Sequence, residues 1–332
     1  MVNASASLSL PATLEDRRGV TVSIIMPTYD VAAFVARAID SVMQQTFAGW
    51  ELIVVDDCSS DHTSDAVLQF ARRDPRILLV STSTNGGPGA ARNIGLEMAT
   101  GEWIAVLDGD DAWLPERLET LLRWAEETAA DFVADNLLQY DLALDAIVGP
   151  AGKFRRPVQT IDLRSLFDNK ANGRPLGYGL LKPLIKRSFL EAHSLRYRDD
   201  LRFGEDFRFY VDIFAAGARG VLVAEPYYIY TMPRGTVSGA RSSASRTDRN
   251  VAITLSIMDD IVTTYAAQVA PDVRASMLAC RKRVQEGFLL ARFRATEPGA
   301  SRIRKVGMLA SQPQLALARL RQFLRTVRES AP

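Results

Sequence analysis

Histidine and cysteine are nearly absent, with two of each among 332 residues. His62 and His193 are too few for a histidine-rich metal site. Cys58 and Cys280 cannot build a disulfide framework or a four-cysteine zinc site, and so few cysteines suit a reducing compartment. No apolar run approaches the roughly 18 residues of a membrane-spanning helix. Net charge is also scarce. Forty basic against thirty-nine acidic residues leave +1, which argues against a general nucleic-acid binder. Residues 1–19 do not read as a secretory signal, because Glu15, Asp16, Arg17 and Arg18 follow the apolar stretch instead of preceding it. The expectation is a flexible leader over 1–19 and a cytoplasmic protein.

What is present is an ordinary globular composition, 47% hydrophobic and 24% charged, with length enough for a large core. From 20 to about 135, short apolar runs alternate with helical spacing. Val22–Met26, Leu52–Val55, Ile77–Val80 and Trp103–Leu107 read as buried strands. Helices are expected over 32–46, from 61 to about 73, up to about 98, and from about 114 to 128, with Asp61 or Thr63 capping the second. Continuous apolar strands separated by helices imply an α/β fold with a parallel sheet covered on both faces. In such sheets ligands sit beyond the carboxyl ends of the strands. Three of the four strands end there in polar residues: Pro27-Thr28-Tyr29-Asp30, Asp56-Asp57, and Asp108-Gly109-Asp110-Asp111.

Each cluster has a chemical and a plain reading. Asp108, Asp110 and Asp111, with Gly109 easing the bend, either hold a hard divalent ion beside substrate phosphate or form a solvated turn with a helix cap. Asp56-Asp57 can accept from a ribose hydroxyl or a base N–H, or can cap the next helix. Tyr29 can stack on a base or simply pack. Glu205-Asp206, between Phe203 and Phe207, is either a desolvated general base or a pair favouring a helix dipole. Asn85-Gly86-Gly87-Pro88-Gly89 with Arg92 resembles a phosphate cradle but lacks the lysine and hydroxyl of a P-loop. A glycine-rich turn after the first strand is also missing, which disfavours a nicotinamide- or flavin-binding domain.

In their order along the chain these segments resemble the inverting family 2 glycosyltransferases of GT-A fold. The resemblance rests on Val22–Asp30, Ala38–Phe47, Glu51–Asp61, Asn85–Gly87 with Ala91–Gly95, Leu107–Asp111 and Gly204–Asp206. It covers about 20–240 and is strongest over 20–125. It implies a mostly parallel, Rossmann-like sheet flanked by helices, with a nucleotide-binding half over 20–135, an acceptor half over 136–240 and a helical C-terminal extension over 241–332. It also implies that Pro27, Thr28, Tyr29, Asp57, Asn85, Arg92 and Asp108 border the nucleotide. Asp57 would read the base, with UDP as the expected nucleotide. Asp108 and Asp110 would serve Mn²⁺ or Mg²⁺, and Asp111 the acceptor side or the turn itself. Asp206, assisted by Glu205, would be the base. The activity implied is transfer of one sugar from a nucleotide-sugar donor to a glycan or lipid-linked acceptor, with inversion to a β-linkage, in exopolysaccharide or other surface-glycan synthesis. The processive Gln-x-x-Arg-Trp motif is absent.

Two departures stand out. Cys58 occupies a position the family usually gives to glycine, and Thr231 and Pro233 stand where Arg and His are usual. Arg234 is the expected substitute near the diphosphate. A non-catalytic nucleotide-sugar-binding or scaffold subunit is the alternative that these departures keep open. A nucleotidyltransferase would need a glycine-rich loop after the first strand.

Charge is unevenly spread. Residues 281–332 hold twelve basic and three acidic residues, and the other 280 hold twenty-eight basic and thirty-six acidic. Leu317, Leu320, Leu324 and Val327 fall at helical spacing among the arginines. The expectation is a basic amphipathic helix. It either touches an anionic membrane, placing the protein peripherally on the inner face of the cytoplasmic membrane, or packs on the catalytic domain or a dimer interface.

Overall fold

The computed structural model describes residues 7–8, 19–172, 176–232 and 247–295, together with Gln314 and Leu317. Its first half is built from β1 (Ser7–Leu8), β2 (Val22–Thr28), α1 (Val35–Met43), β3 (Trp50–Asp56), α2 (Thr63–Ala71), β4 (Ile77–Ser81), α3 (Pro88–Met98), β5 (Trp103–Val106), β6 (Ala112–Trp113) and α4 (Arg117–Thr128). The second half adds β7 (Phe132–Asp141), β8 (Ala146–Pro150), β9 (Val158–Ile161), α5 (Leu163–Asn172), a 3₁₀ turn at Tyr178–Leu180, β10 (Leu184–Lys186), α6 (Arg187–Ala192), α7 (Glu205–Ala215), β11 (Gly220–Thr231), α8 (Thr247–Tyr265) and α9 (Pro271–Ala295).

One eleven-stranded sheet runs β1-β4-β3-β2-β5-β10-β7-β11-β6, with β8 on β7 and β9 on β11. The four expected strands form its parallel block, β4-β3-β2-β5, and every residue of β3 is buried. A strand buried on both faces needs an unbroken apolar run, which is why these four were readable. Helix α1 buries Val35, Ala38, Ile39 and Val42, one face at a spacing of three and four. Pro88 opens α3, where its missing N–H costs nothing.

The expectation of a mostly parallel sheet holds for this block and for the β7–β11 pair. Elsewhere the pairing is antiparallel: three-residue β10 inserts between β5 and β7 and runs against both, and β1, β6, β8 and β9 each run against their neighbour. Residues 220–231 form one strand, β11, with register shifts around Pro226. Proline has no N–H for the ladder, so a break there follows. Asp61 assists the start of α2 without being its N-cap residue: its carboxylate accepts from the Thr63 N–H at 2.9 Å.

Two sets of contacts cross the expected boundaries. Ser7 and Leu8, within the expected leader, pair with Ser81 and Val80. The described helices after 241 join the core of the sheet domain. Ile257, Met258 and Ile261 of α8, with Met277 and Cys280 of α9, are buried in the same core as the sheet and α7. The amphipathic helix expected over 314–327 lies outside the described residues, apart from helical, exposed Gln314 and Leu317. Among the described residues no helix is long and apolar enough to cross a membrane.

Candidate active site

The parallel block sets its strand ends side by side, and the polar segments noted in the sequence meet along that edge. Asp30 takes a left-handed backbone (φ 50°), which Asp and Asn tolerate better than most residues. Its carboxylate accepts from the Ser60 N–H at 2.7 Å, joining the first loop to the second. Pro27 is half-buried and Tyr29 is half-exposed. Thr28 is buried, with its hydroxyl 3.5 Å from the Asp56 carboxylate. Asp57 is buried too. Its two oxygens accept from the N–H groups of Gly86 (2.8 Å) and Gly87 (2.6 Å), so it clasps the glycine loop onto β3. Asn85 completes that clasp through the Asp57 carbonyl and is held by Arg202. Cys58 adopts φ 63°, the left-handed conformation for which glycine is the unstrained residue.

The Asp108–Asp111 turn separates its three carboxylates by environment. Asp108 receives Arg92 at 2.8 Å and Lys182 at 3.0 Å. Burial would raise its pKa, but Lys182 and Arg92 overcome this and bring it down to about 2. Asp110 makes no ion pair among the described residues. Burial, with the charge of Asp108, pushes it up to about 6. Its carbonyl is fixed instead, accepting from Arg37 and from the Thr231 hydroxyl, both at 2.6 Å. Asp111 is 1% exposed and accepts from the Tyr228 hydroxyl and the Thr231 N–H at 2.7 Å each, contacts that brace the turn. Gly109 is required for close approach: a Cβ there would lie 2.8 Å from Thr28 Cγ2.

Across the cleft, Gly204 precedes α7 with φ 75°, and a Cβ there would meet Ile257 at 2.9 Å. This brings Glu205 and Asp206 to the strand edge. Arg92, expected beside the nucleotide, is 2% exposed and committed to carboxylates: Asp108, Glu205 at 2.9 Å and Asp206 at 3.1 Å. It joins the turn to α7, because three carboxylates in a buried setting draw the guanidinium inward. Burial and the charge of Asp206 raise Glu205 above its ordinary range, with Arg92 pulling back. Lys182 Nζ lies 2.5 Å from Asp206 Oδ2. The other oxygen, Asp206 Oδ1, is buried and accepts no hydrogen bond; Arg92 approaches it without hydrogen-bond geometry. These groups open onto a cleft of about 330 Å³, walled also by Tyr178, Phe207 and Tyr230.

Lys182 and Arg37 have no counterpart in the sequence expectations. The signal for Lys182 was a single charge inside the apolar run Leu180–Ile185. Arg234 lies outside the described residues. Among those described, no three His, Cys, Asp or Glu side chains gather as a metal group. Asp108 has both oxygens taken by cations. Asp110 is the carboxylate whose uncompensated charge fits a divalent ion, the remaining ligands then being substrate oxygens and water.

Residues 23–174 match the sequence profile described as Glycosyl transferase family 2. This stretch is thus similar to a family 2 glycosyl transferase domain. Its GT-A fold is shared with *Staphylococcus aureus* TarS 1-349 in complex with UDP-GlcNAc, at a TM-score of 0.61 and 22% identity over 90% of this chain and 79% of that one. A mannosyltransferase from *Pyrobaculum calidifontis*, PcManGT, in complex with GDP-Man and Mn²⁺, gives 0.56 and 21% over 89% and 80%. In sequence, the succinoglycan biosynthesis protein ExoO of *Rhizobium meliloti* is 36% identical over 65% of this chain and 62% of its own length. The *Escherichia coli* UDP-Glc:alpha-D-GlcNAc-diphosphoundecaprenol beta-1,3-glucosyltransferase WfgD is also 36% identical, over 53% and 64%. The alignments thus span less than two thirds of these curated relatives.

Proposed function

We propose that this protein transfers one sugar from a nucleotide-sugar donor, with UDP as the nucleotide, to a glycan or lipid-linked acceptor in bacterial surface-polysaccharide synthesis. The transfer inverts the anomeric centre, so an α-linked donor gives a β-linked product. The work is done at the cytoplasmic face of the membrane, where a lipid-linked acceptor would be presented. The observation that carries this reading is Asp206 Oδ1, a buried carboxylate oxygen accepting no hydrogen bond at the edge of a cleft.

The acceptor hydroxyl donates its proton to Asp206 Oδ1 as its oxygen bonds to the anomeric carbon. The bond from that carbon to the diphosphate breaks, and its electron pair leaves with the nucleoside diphosphate. Lys182, on Oδ2, aims the carboxylate, and Arg92 holds α7 against the metal turn. Tyr29 offers its ring to the base, and the Asp57 clasp keeps the loop beside it in shape. Mn²⁺ or Mg²⁺ would be held by Asp110, with Asp108 beside it, and would supply neutralisation of the leaving diphosphate.

A screen of nucleotide sugars with Mn²⁺ and Mg²⁺ tests the reading, scored by thermal shift and by slow donor hydrolysis. UDP-sugars are expected to stabilise the protein and to be hydrolysed. Absence of binding and hydrolysis across UDP-, GDP- and dTDP-sugars would overturn it.

A further inference from the structure

Lys170 lies near the end of α5 and lines the same cleft as Asp206. Its ammonium sits 4.3 Å from the centre of the Phe207 ring, whose residue directly follows Asp206 in α7. Among the described residues it has no carboxylate partner. The other cations lining the cleft differ: Arg92 and Lys182 are saturated by Asp108, Glu205 and Asp206. Burial lowers the pKa of Lys170, and only the Cys280 thiol pushes back. A partly desolvated ammonium with an aromatic face on one side and open cleft on the other is a built anion receptor lacking its anion.

We propose that the cleft beside Asp206 is an acceptor subsite selecting acceptors that carry an anionic group, phosphate or carboxylate, held by Lys170. This rests on the functional reading above, which makes the cleft the acceptor's. Tyr178 and Phe207 give the sugar rings apolar faces, and Lys170 fixes the end of the acceptor that carries charge. The group is either the phosphate of a lipid carrier or the carboxylate of an acidic sugar.

Calorimetric titration of the full chain separates these sources, using octyl phosphate, D-glucuronate and the neutral octyl β-D-glucoside. Each probe is measured on wild type, Lys170→Met and Lys170→Arg, with UDP titrated separately. For at least one anionic probe, Kd is expected to rise about tenfold or more in Lys170→Met, the loss of one charge-assisted contact, and to return toward wild type in Lys170→Arg. The glucoside and UDP should be unaffected, UDP binding also reporting that the variant is folded. A change for octyl phosphate alone assigns the subsite to a lipid phosphate, and for glucuronate alone to an acidic sugar. The proposal is overturned if neither anion binds wild type, if neither Kd moves, or if the glucoside weakens equally. Failure of wild type to bind UDP or any nucleotide sugar would instead count against the functional reading, leaving the anion titrations to report on Lys170.

Discussion

Two of the charged clusters buried among the described residues differ in their balance. In the first, Arg117 and Asp135 are both fully buried and pair at 2.8 Å. The guanidinium also donates to the Lys182 carbonyl and lies over the rings of Trp113 and Tyr228, while Asp135 accepts the Tyr227 N–H. One arginine nitrogen, Nη1, has no hydrogen bond, but charge cancels charge and neither residue lines the cleft. In the second, Arg92 and Lys182 face three carboxylates, Asp108, Glu205 and Asp206. That cluster keeps one negative charge in excess and opens onto the cleft. The first ties α4 to β7 and β11 and stays away from the cleft. The second leaves Asp206 Oδ1 without a hydrogen bond beside the cleft, and this is the oxygen proposed to take the acceptor's proton.

Asp206→Asn breaks the comparison most sharply. It keeps the shape and removes the proton acceptor, so turnover should fall about 10²–10⁴-fold while donor affinity stays near wild type. Calorimetry with UDP and initial-rate measurements read the two separately; unchanged turnover would move the base elsewhere. Asp135→Ala should do the reverse. Stranding Arg117 in the core should cost about 3–5 kcal/mol of stability, seen as a lower denaturant midpoint, with the folded fraction retaining its donor affinity.

Lys182 belongs to both clusters, and its two ends can be told apart. Lys182→Met keeps the backbone carbonyl that receives Arg117 and removes the ammonium from Asp108 and Asp206. The turnover number should fall about tenfold to a hundredfold, the loss of one or two charge-assisted contacts. It should fall more than donor affinity does, and the pH dependence of the rate should shift as Asp108 loses the cation that most lowers its pKa. An unchanged pH profile would reduce Lys182 to a packing role.

How much of this was legible follows from the same contrast. The strands of the parallel block announced themselves because burial on both faces demands unbroken apolar runs. Strand β7 did not, because Asp135 and Asn136 interrupt its run, and both charge and amide are satisfied only by distant chain: Arg117, and the carbonyls of Gly152 and Ala224. Strands β6 and β10, at two and three residues, are too short for any periodicity. Asp108, Asp110, Glu205 and Asp206 stood out as acidic clusters at element ends. Their partnerships did not, since Arg92 and Glu205 are 113 residues apart and Lys182 and Asp206 are 24. For Arg92 the sequence suggested phosphate, and the fold supplied carboxylates. No property of a single segment could distinguish those two anions.

The smallest effect concerns Asp110, the carboxylate that neither cluster compensates. Its pKa, raised to about 6, lies above its ordinary value near 3.8, so the folded protein holds this proton more tightly than the unfolded chain does. Between those two values the unfolded chain has released the proton and the folded one has not. In metal-free protein this contribution to stability is therefore present at acid pH and is lost as pH rises through about 6. A cation at Asp110 needs the ionised form and opposes that loss. The stabilisation given by Mn²⁺ should accordingly be small at pH 5, grow across pH 6 and level off above it, read as the difference in thermal midpoint with and without the ion. Asp110→Asn should flatten this pH dependence while leaving the Arg117–Asp135 pair, and hence the metal-free midpoint at pH 7, without loss. A Mn²⁺ shift that is equally large at pH 5 and pH 7 would place the ion on groups that are already ionised, such as Asp108, and would remove Asp110 as its holder.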